Sequence, residues 1–242
     1  MRWMSLAGRN LAEVLRDPLS AGLGAAMPCA LLALFAALGK NVPSPQFRIE
    51  LMTPAYAVFS FAMLVMFSAM LLARDRSGGL FGRLLATPLE PRDFALAYAL
   101  PFLPVAALQA LTCYAVGAAF GAPLGAGAAV AAVALLPAAL GFVGLGLCLG
   151  AIFTENQIAG LGSALVTAVG VFGGLYFDPA AAGGFFATIG KVLPFAAAVE
   201  AARLLFRGAD LAAAAAPLLQ TWAFAVLALG AGVLAIRART RR

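Results

Sequence analysis

Few residues in this chain have side chains suited to covalent or metal chemistry. Histidine is absent, and the three cysteines (Cys29, Cys113 and Cys148) lie in apolar surroundings without C-x-x-C spacing. No carboxylate lies inside a predicted membrane segment, and Glu155 is only at the edge of one. An intramembrane enzyme needs a nucleophile with a base, or a set of metal ligands. We therefore expect neither an enzyme nor a metal site, and we interpret the cysteines as buried apolar side chains.

The composition indicates a membrane protein. Of the 242 residues, 64% are hydrophobic and 11% are charged, and the mean hydropathy is +0.99. Soluble domains are about half apolar and about one quarter charged. Because backbone groups inside a bilayer must be hydrogen-bonded within the protein, this composition predicts an all-α bundle of transmembrane helices.

Charge-free stretches predict six spans, since a helix needs about 20 apolar residues to cross a bilayer. The predicted spans cover residues 19–39, 52–73, 94–120, 126–153, 157–177 and 212–236, within one transmembrane domain over residues 1–242. Spans three and four share one long charge-free stretch, divided by the turn-forming sequence G-A-P-L-G at 121–125. Glycines at four-residue spacing, among them Gly146 and Gly150, are typical of close helix packing.

The distribution of Lys and Arg predicts the orientation. With both termini in the cytoplasm, eleven of the sixteen Lys and Arg residues lie on the cytoplasmic side, as the positive-inside rule favours. The net charge of +6 is then a topology signal, and no nucleic-acid partner is expected. Residues 19–39 are interpreted as a retained span, because the polar segment before them is long for a cleaved signal peptide.

Residues 2–17 are predicted to form an amphipathic helix in the headgroup layer. Arg2, Arg9 and Arg16 are seven residues apart and share one helical face, with apolar residues broadly opposite. We expect the arginines to face anionic lipid, and Pro18 to end the helix. This interfacial helix either anchors the chain only or also docks a partner protein.

The loop 74–93 is the only substantial predicted cytoplasmic loop. Its middle holds an amphipathic stretch, Leu80–Leu85, bounded by Gly78-Gly79 and by Pro88, which limit a helix to about two turns. A loop that only reversed the chain would not need apolar side chains there. They either lie in the membrane interface or fill a groove on another protein.

The outer segment 178–210 is apolar but interrupted by charges, and its charge-free part is too short to span. It predicts short re-entrant or interfacial helices, separated at Pro194. Glu200, Arg203 and Arg207 share a helix face, and Glu200 and Arg203 can pair. They form either a snorkelling pair at the interface or, with Phe177 and Pro194, an outer gate of a pathway.

Three motifs in this order resemble the ABC type-2 permeases. The sequence D-R-S-G-G-L-F-G-R-L-L-A-T-P-L at 75–89 is similar to the family loop E-R-E-R-G-T-L-E-R-L-L-A-T-P-L. G-G-L-Y-F-D-P at 173–179 resembles the family's S-G-x-x-F-P turn. L-P at 193–194 and V-E-A-A-R at 199–203 resemble its L-P and V-E-A-x-R segments. With the six spans and the interfacial helix, the resemblance covers nearly the whole chain.

The chain departs from the family pattern at a few positions. Ser77 replaces an acidic residue, Leu80 a threonine and Gly82 a glutamate. Ala97-Tyr98 replaces the Gly-Lys that often opens span three. Of the charged residues in the family loop, Asp75, Arg76 and Arg83 remain here.

The resemblance implies that this chain pairs with a second copy and with two copies of a separate ABC ATPase. ATP and Mg²⁺ would bind to that ATPase; this chain has no G-x-x-x-x-G-K-[ST] motif, so no cofactor is expected in it. Leu80–Leu85 would then be a coupling helix. The residues expected at the ATPase-coupling surface are Asp75, Arg76, Gly79, Leu80, Phe81, Arg83, Leu84, Leu85, Pro88, Arg9 and Arg16.

A pathway would lie between two copies of the chain, with spans two and five as candidate walls. The residues expected to line it are Tyr56, Ser60, Thr167, Phe172 and Tyr176. No span carries a central charge, which favours a hydrophobic or amphipathic cargo, such as a drug-like molecule, a lipid or a lipid-linked glycan, over an ion.

The family resemblance implies the transmembrane subunit of an ATP-driven exporter in the bacterial inner membrane, with membrane lipid around it. The alternative is an ATP-independent carrier or channel. That class would need inverted repeats, or interrupted helices with polar groups at mid-depth. Pro101, Pro104 and Pro137 are the residues that could interrupt spans three and four.

Overall fold

The computed structural model describes residues 2–42, 44, 47–85, 90–176 and 183–240. These residues form helices and no strands, which confirms the predicted all-α fold for the described part of the chain. The helices are α1 (Arg2–Arg16), α2 (Pro18–Gly39), α3 (Ile49–Ser60), α4 (Ala62–Ser77), α5 (Leu80–Leu85), α6 (Pro91–Ala99), α7 (Phe102–Ala119), α8 (Ala126–Ala134), α9 (Leu136–Ile152), α10 (Glu155–Phe172), α11 (Gly184–Val192), α12 (Pro194–Phe206) and α13 (Ala215–Thr240).

Four helical stretches are long and apolar enough to cross a membrane. They are Ile49–Ser77, Arg92–Ala119, Ala126–Ile152 and Ala215–Ala238, and they coincide with predicted spans two, three, four and six. Predicted span one corresponds to α2, in which Gly24–Gly39 is a shorter apolar helix, and span five corresponds to the 18 residues of α10. The crossing of the membrane by α2 and α10 stays a prediction.

Helix α9 is the centre of the bundle and packs between α4 and α13. A Cβ atom added at Gly150 would lie 2.6 Å from the carbonyl oxygen of Ala69 on α4. On the opposite side, a Cβ atom at Gly144 would lie 2.6 Å from the carbonyl carbon of Ala228 on α13. Gly146 also approaches the α4 backbone, so the predicted pair of glycines is a helix contact. The backbones of α4, α9 and α13 therefore touch without intervening side chains.

The other helices surround this centre. Helices α2 and α3 pack against α7, α10 packs against α4, and α12 contacts α3, α8 and α13. Helix α1 packs against α6. We call the end of the bundle that carries Arg9, Asp75 and Glu155 the inner end, because the charge distribution predicts it to be cytoplasmic. The opposite end, with Leu51 and Arg203, is the outer end.

Local sequence signals set two helix starts at the inner end. Pro91 is the first residue of α6, and the backbone N–H of Glu90 donates to Asp93 Oδ2 at 3.2 Å. The start of α10 is similar, since the backbone N–H of Thr154 donates to Gln157 Oε1 at 3.1 Å. Both contacts satisfy an N–H group that has no partner within its helix.

Candidate functional site at the inner end

An ion pair joins α1 to the inner end of α4. Arg9 Nη1 donates to Asp75 Oδ2 at 2.6 Å, and Arg9 Nη2 donates to Asp75 Oδ1 at 2.9 Å. This two-point geometry is the strong form of a guanidinium–carboxylate contact. The Asp75 side chain is only 4% exposed, whereas that of Arg9 is 40% exposed. The hydrogen bonds to Asp75 raise the pKa of Arg9 above its ordinary value.

A third helix binds the same carboxylate. The hydroxyl of Tyr98, on α6, donates to Asp75 Oδ2 at 2.5 Å, and the Tyr98 side chain is fully buried. Asp75 therefore ties α1, α4 and α6 together at one point. Tyr98 is one of the positions at which the sequence departs from the family pattern, and here it supplies a donor to the buried charge.

Asn10 adds a second link between α1 and α6. It is fully buried, its Nδ2 donates to the carbonyl oxygen of Ala97 at 3.1 Å, and its Oδ1 accepts from Arg9 Nη1 at 2.9 Å. Sequence analysis missed both Asn10 and Tyr98. One feature of the sequence pointed to a buried Asn10. It lies four residues after Leu6 and therefore on the face of α1 that carries apolar residues.

The orientation expected for Arg9 is wrong. The sequence predicted that the α1 arginines face anionic lipid, but the Arg9 guanidinium faces Asp75. The reason is the buried carboxylate, which offers a guanidinium charge-assisted hydrogen bonds with far less competition from water than a headgroup does. Arg16, the last residue of α1, is exposed.

Arg76 binds the end of α9. Its Nη1 donates to the carbonyl oxygen of Gly150, and also to that of Phe153 at 3.2 Å. The last carbonyl groups of a helix have no helical N–H to accept from, and a cation is favourable next to them. Arg76 therefore fastens the inner end of α4 to the inner end of α9.

Arg74 and Ser77 bind the start of α10. Arg74 Nε lies 3.6 Å from Glu155 Oε2, and Ser77 Oγ donates to Glu155 Oε1 at 3.0 Å. Ser77, a second departure from the family pattern, thus contacts the acidic residue that begins α10. Four consecutive residues of α4, from Arg74 to Ser77, connect it to the inner ends of α1, α6, α9 and α10.

We call Arg74–Ser77 together with Arg9, Tyr98 and Glu155 the inner-end cluster. Helix α5 follows directly after Ser77 and the turn at Gly78-Gly79. Gly79, with a φ angle of 72°, makes the turn from α4 into α5, a conformation that favours glycine. Leu80 is half-buried, whereas Gly79 and Arg83 are exposed. A short helix is present where the sequence expects one, although the side chains of Phe81, Leu84 and Leu85 and the whole of Pro88 lie outside the described residues. The coupling role of α5 stays a prediction.

At the outer end, Arg203 joins three helices through backbone oxygens. Its Nε donates to the carbonyl oxygen of Leu51 at 3.1 Å, and its Nη2 donates to that of Gly174 at 2.9 Å. These contacts link α12 to the start of α3 and to the end of α10. Glu200, one turn earlier, is exposed. Pro194 is the first residue of α12, and Phe177 lies outside the described residues.

The predicted pathway residues divide into two sets. Tyr56 and Ser60 are buried inside the bundle, Phe172 is half-buried, and Thr167 and Tyr176 are exposed. The ring of Phe35 lies between the two tyrosines, with ring-centroid distances of 6.4 Å to Tyr56 and 6.2 Å to Tyr176. Of the five predicted pathway residues, only those of span five therefore reach the surface of a single chain.

The sequence of the chain matches the family model of the ABC-2 type transporter over residues 1–206. The chain belongs to the ABC-2 type transporter family. This confirms the resemblance seen in residues 75–89, and the matched region includes α1, the inner-end cluster and Arg203. No curated protein matches the chain at a significant level. As an ABC-2 family protein with several apolar helices, it is a multi-pass membrane component of a transporter.

Proposed function

We propose that this ABC-2 family protein is the transmembrane subunit of an ATP-driven exporter in the bacterial inner membrane, with both termini in the cytoplasm. It would form a dimer, bind two copies of a separate ABC ATPase at the inner end, and move a hydrophobic or amphipathic cargo. ATP and Mg²⁺ would bind to the ATPase. The observation that carries the proposal is the buried Asp75 carboxylate, which ties three helices together next to α5.

The inner-end cluster supports a way to transmit movement. If α5 docks on the ATPase, closure of the ATPase pair displaces α5 and the adjoining end of α4. Helices α1 and α6 then move with α4, because Asp75 binds Arg9 and Tyr98. The contacts of Arg76 with α9 and of Arg74 with α10 extend the displacement to two more helices. A transporter of this kind alternates between two arrangements of its helices.

The exposed face of α10 supports the pathway assignment. Gly160, Ser163 and Thr167 lie on this face and are exposed. The hydroxyls of Ser163 and Thr167 donate to the carbonyl oxygens of Gly160 (2.8 Å) and Ser163 (3.0 Å). A face of small and polar residues without charge suits contact with a second copy of the chain or with an amphipathic cargo.

The deciding experiment is purification of the tagged chain from native membranes in a mild detergent, followed by mass spectrometry. We expect a stoichiometric subunit that carries a G-x-x-x-x-G-K-[ST] motif. If the chain purifies alone and is monodisperse, the ATP-independent carrier or channel replaces this proposal.

Leu84→Asp provides a test of the coupling helix. A charge on the apolar side predicted for α5 should abolish recovery of the ATPase while leaving membrane insertion intact, because it would put a carboxylate into an apolar groove. The measurement is the ATPase-to-permease ratio after affinity purification.

Gly82→Asp is the matched control. It places the same charge on the same helix, at a position where an added Cβ atom meets nothing within 4 Å. We expect normal ATPase recovery with this variant. Equal recovery with Leu84→Asp and Gly82→Asp would remove α5 from the docking surface.

A further inference from the structure

A cavity at the inner end lies between α1, α4, α7 and α10. Its volume is about 260 Å³. The residues that line it are Glu13, Val14, Asp17, Met66, Phe67, Met70, Leu71, Arg74, Val105 and Ala159. This cavity lies within one chain, and its α10 residue, Ala159, is exposed and lies one turn from Ser163 on the α10 face that we assign to the pathway between copies.

The lining changes from charged to apolar along α4. Arg74 lies at the inner end of α4, Met70 lies one turn further into the bundle, and Met66 lies two turns in. Eight helical residues correspond to a depth of about 12 Å. Glu13 and Asp17, from α1 and the residue that follows it, join Arg74 at the charged end. The cavity thus has a polar mouth at the inner end and an apolar interior, which would lie at headgroup and acyl-chain level if the inner end faces the cytoplasm as the charge distribution predicts.

The mouth carries charges of both signs. Glu13 Oε2 is 2.7 Å from Arg9 Nη2, and Arg74 Nε is 3.6 Å from Glu155 Oε2. A guanidinium has five N–H donors and a carboxylate has about four acceptor sites, so both groups keep capacity for a ligand. Arg74, at 55% side-chain exposure, is suited to bind a phosphate. The carboxylates of Glu13 and Asp17 are suited to bind an ammonium.

The interior suits a flexible hydrocarbon chain. Met66 and Met70 have unbranched side chains that adapt to an irregular apolar guest. Ala159 leaves the α10 wall open, and Val105 and Phe67 complete the apolar lining. The volume accommodates part of one acyl chain, with the rest of the lipid in the surrounding bilayer.

We propose that this cavity binds one zwitterionic phospholipid of the cytoplasmic leaflet. Its phosphate binds Arg74, its ammonium binds Glu13 and Asp17, and one acyl chain enters between Met66 and Met70. An anionic phospholipid lacks the ammonium and brings its net negative charge next to two carboxylates, so it binds more weakly. The bound lipid bridges α1 to α4, α7 and α10 and so stabilises the packing of the interfacial helix. This lipid is a structural ligand and is distinct from the cargo of the proposed exporter.

The test is native mass spectrometry of the purified full chain, delipidated in detergent and then titrated with dioleoylphosphatidylethanolamine or dioleoylphosphatidylglycerol. We expect one phosphatidylethanolamine per chain to bind more tightly than phosphatidylglycerol. Ala159→Phe fills the cavity and should weaken phosphatidylethanolamine binding by about tenfold or more. Ala115→Phe, the same change on the exposed face of α7, should leave it unchanged.

Asp17→Lys tests the headgroup assignment without filling the cavity. Replacing a carboxylate by an ammonium at the mouth should reverse the preference, so that phosphatidylglycerol then binds more tightly. Equal binding of both lipids to the unmodified chain, or no effect of either Ala159→Phe or Asp17→Lys, would overturn the proposal. Because neither measurement involves an ATPase or transport, the outcome is independent of the proposed exporter function.

Discussion

The two ends of the bundle bind their arginines differently. At the inner end, Arg9 forms a two-point ion pair with Asp75, a carboxylate that is almost completely buried. At the outer end, Arg203 donates to the backbone carbonyls of Leu51 and Gly174. The first arrangement is specific for one side chain, because separation would leave a buried charge without its partner. The second uses backbone carbonyl groups, which every residue provides.

We expect the Arg9–Asp75 ion pair at the inner end to persist when the helices move. The hydrogen bonds of Arg203 at the outer end can instead change from one carbonyl acceptor to another. Removing one partner of a fully buried ion pair costs about 3–5 kcal/mol, and the partial exposure of Arg9 places this pair toward the lower end. A single hydrogen bond to a charged group contributes about 1.5–3 kcal/mol. The inner end is therefore suited to move as one unit, whereas the helices at the outer end can shift past one another and find other carbonyl acceptors.

The largest effect should come from Asp75→Ala. It removes the acceptor that Arg9 and the buried Tyr98 hydroxyl share, although Arg9 keeps its contacts with Glu13 and Asn10. We expect a loss of about 3 kcal/mol in the free energy of unfolding, from the lost charged hydrogen bonds and the unsatisfied buried hydroxyl, together with the loss of ATPase-driven transport. Thermal unfolding in lipid nanodiscs measures the first effect, and a reconstituted transport assay measures the second.

Arg48→Ala is the control for Asp75→Ala. It breaks an exposed ion pair with Glu50 (3.2 Å) and should cost less than about 1 kcal/mol. If the two variants have equal stability, the Asp75 cluster does not hold the inner end together.

Arg203→Lys should have an intermediate effect. Lysine keeps the charge but lacks the planar fork that donates to two carbonyls in different directions. We expect a loss of about 1–2 kcal/mol, near the value of one hydrogen bond to a charged group. The exposed Arg207 offers the control Arg207→Lys, for which unfolding should not change. A loss as large as that of Asp75→Ala would remove the difference between the two ends.

The smallest effect should come from Glu200→Ala. Glu200 is exposed, and the hydrogen bonds from Arg203 to Leu51 and Gly174 do not involve it. We expect a change in stability within about 0.5 kcal/mol. Transport by this variant decides the role of Glu200: reduced transport at normal stability supports the outer gate, and unchanged transport leaves only a snorkelling side chain.

Sequence reasoning succeeded where the signal is local. The charge-free stretches located spans two, three, four and six, because apolar length depends only on neighbouring residues. Asp75 was identified as a candidate, but its ion pair was not, since Arg9 is 66 positions away and pairing at that distance depends on the fold. Two acceptors of Arg203, at Leu51 and Gly174, are backbone oxygens, which leave no trace in residue types. The sequence therefore suggested Glu200 as the partner of Arg203, because it is the nearest residue of opposite charge.

The glycines of α9 have a mechanical consequence. Where backbones meet directly, as at Gly144 and Gly150, there is no layer of side chains that can deform under load. We therefore expect helices α4, α9 and α13 to move together, so that a displacement of α4 also displaces α13. We expect any hinge of a working cycle to lie outside this unit, for example toward α7, where side chains separate the helices.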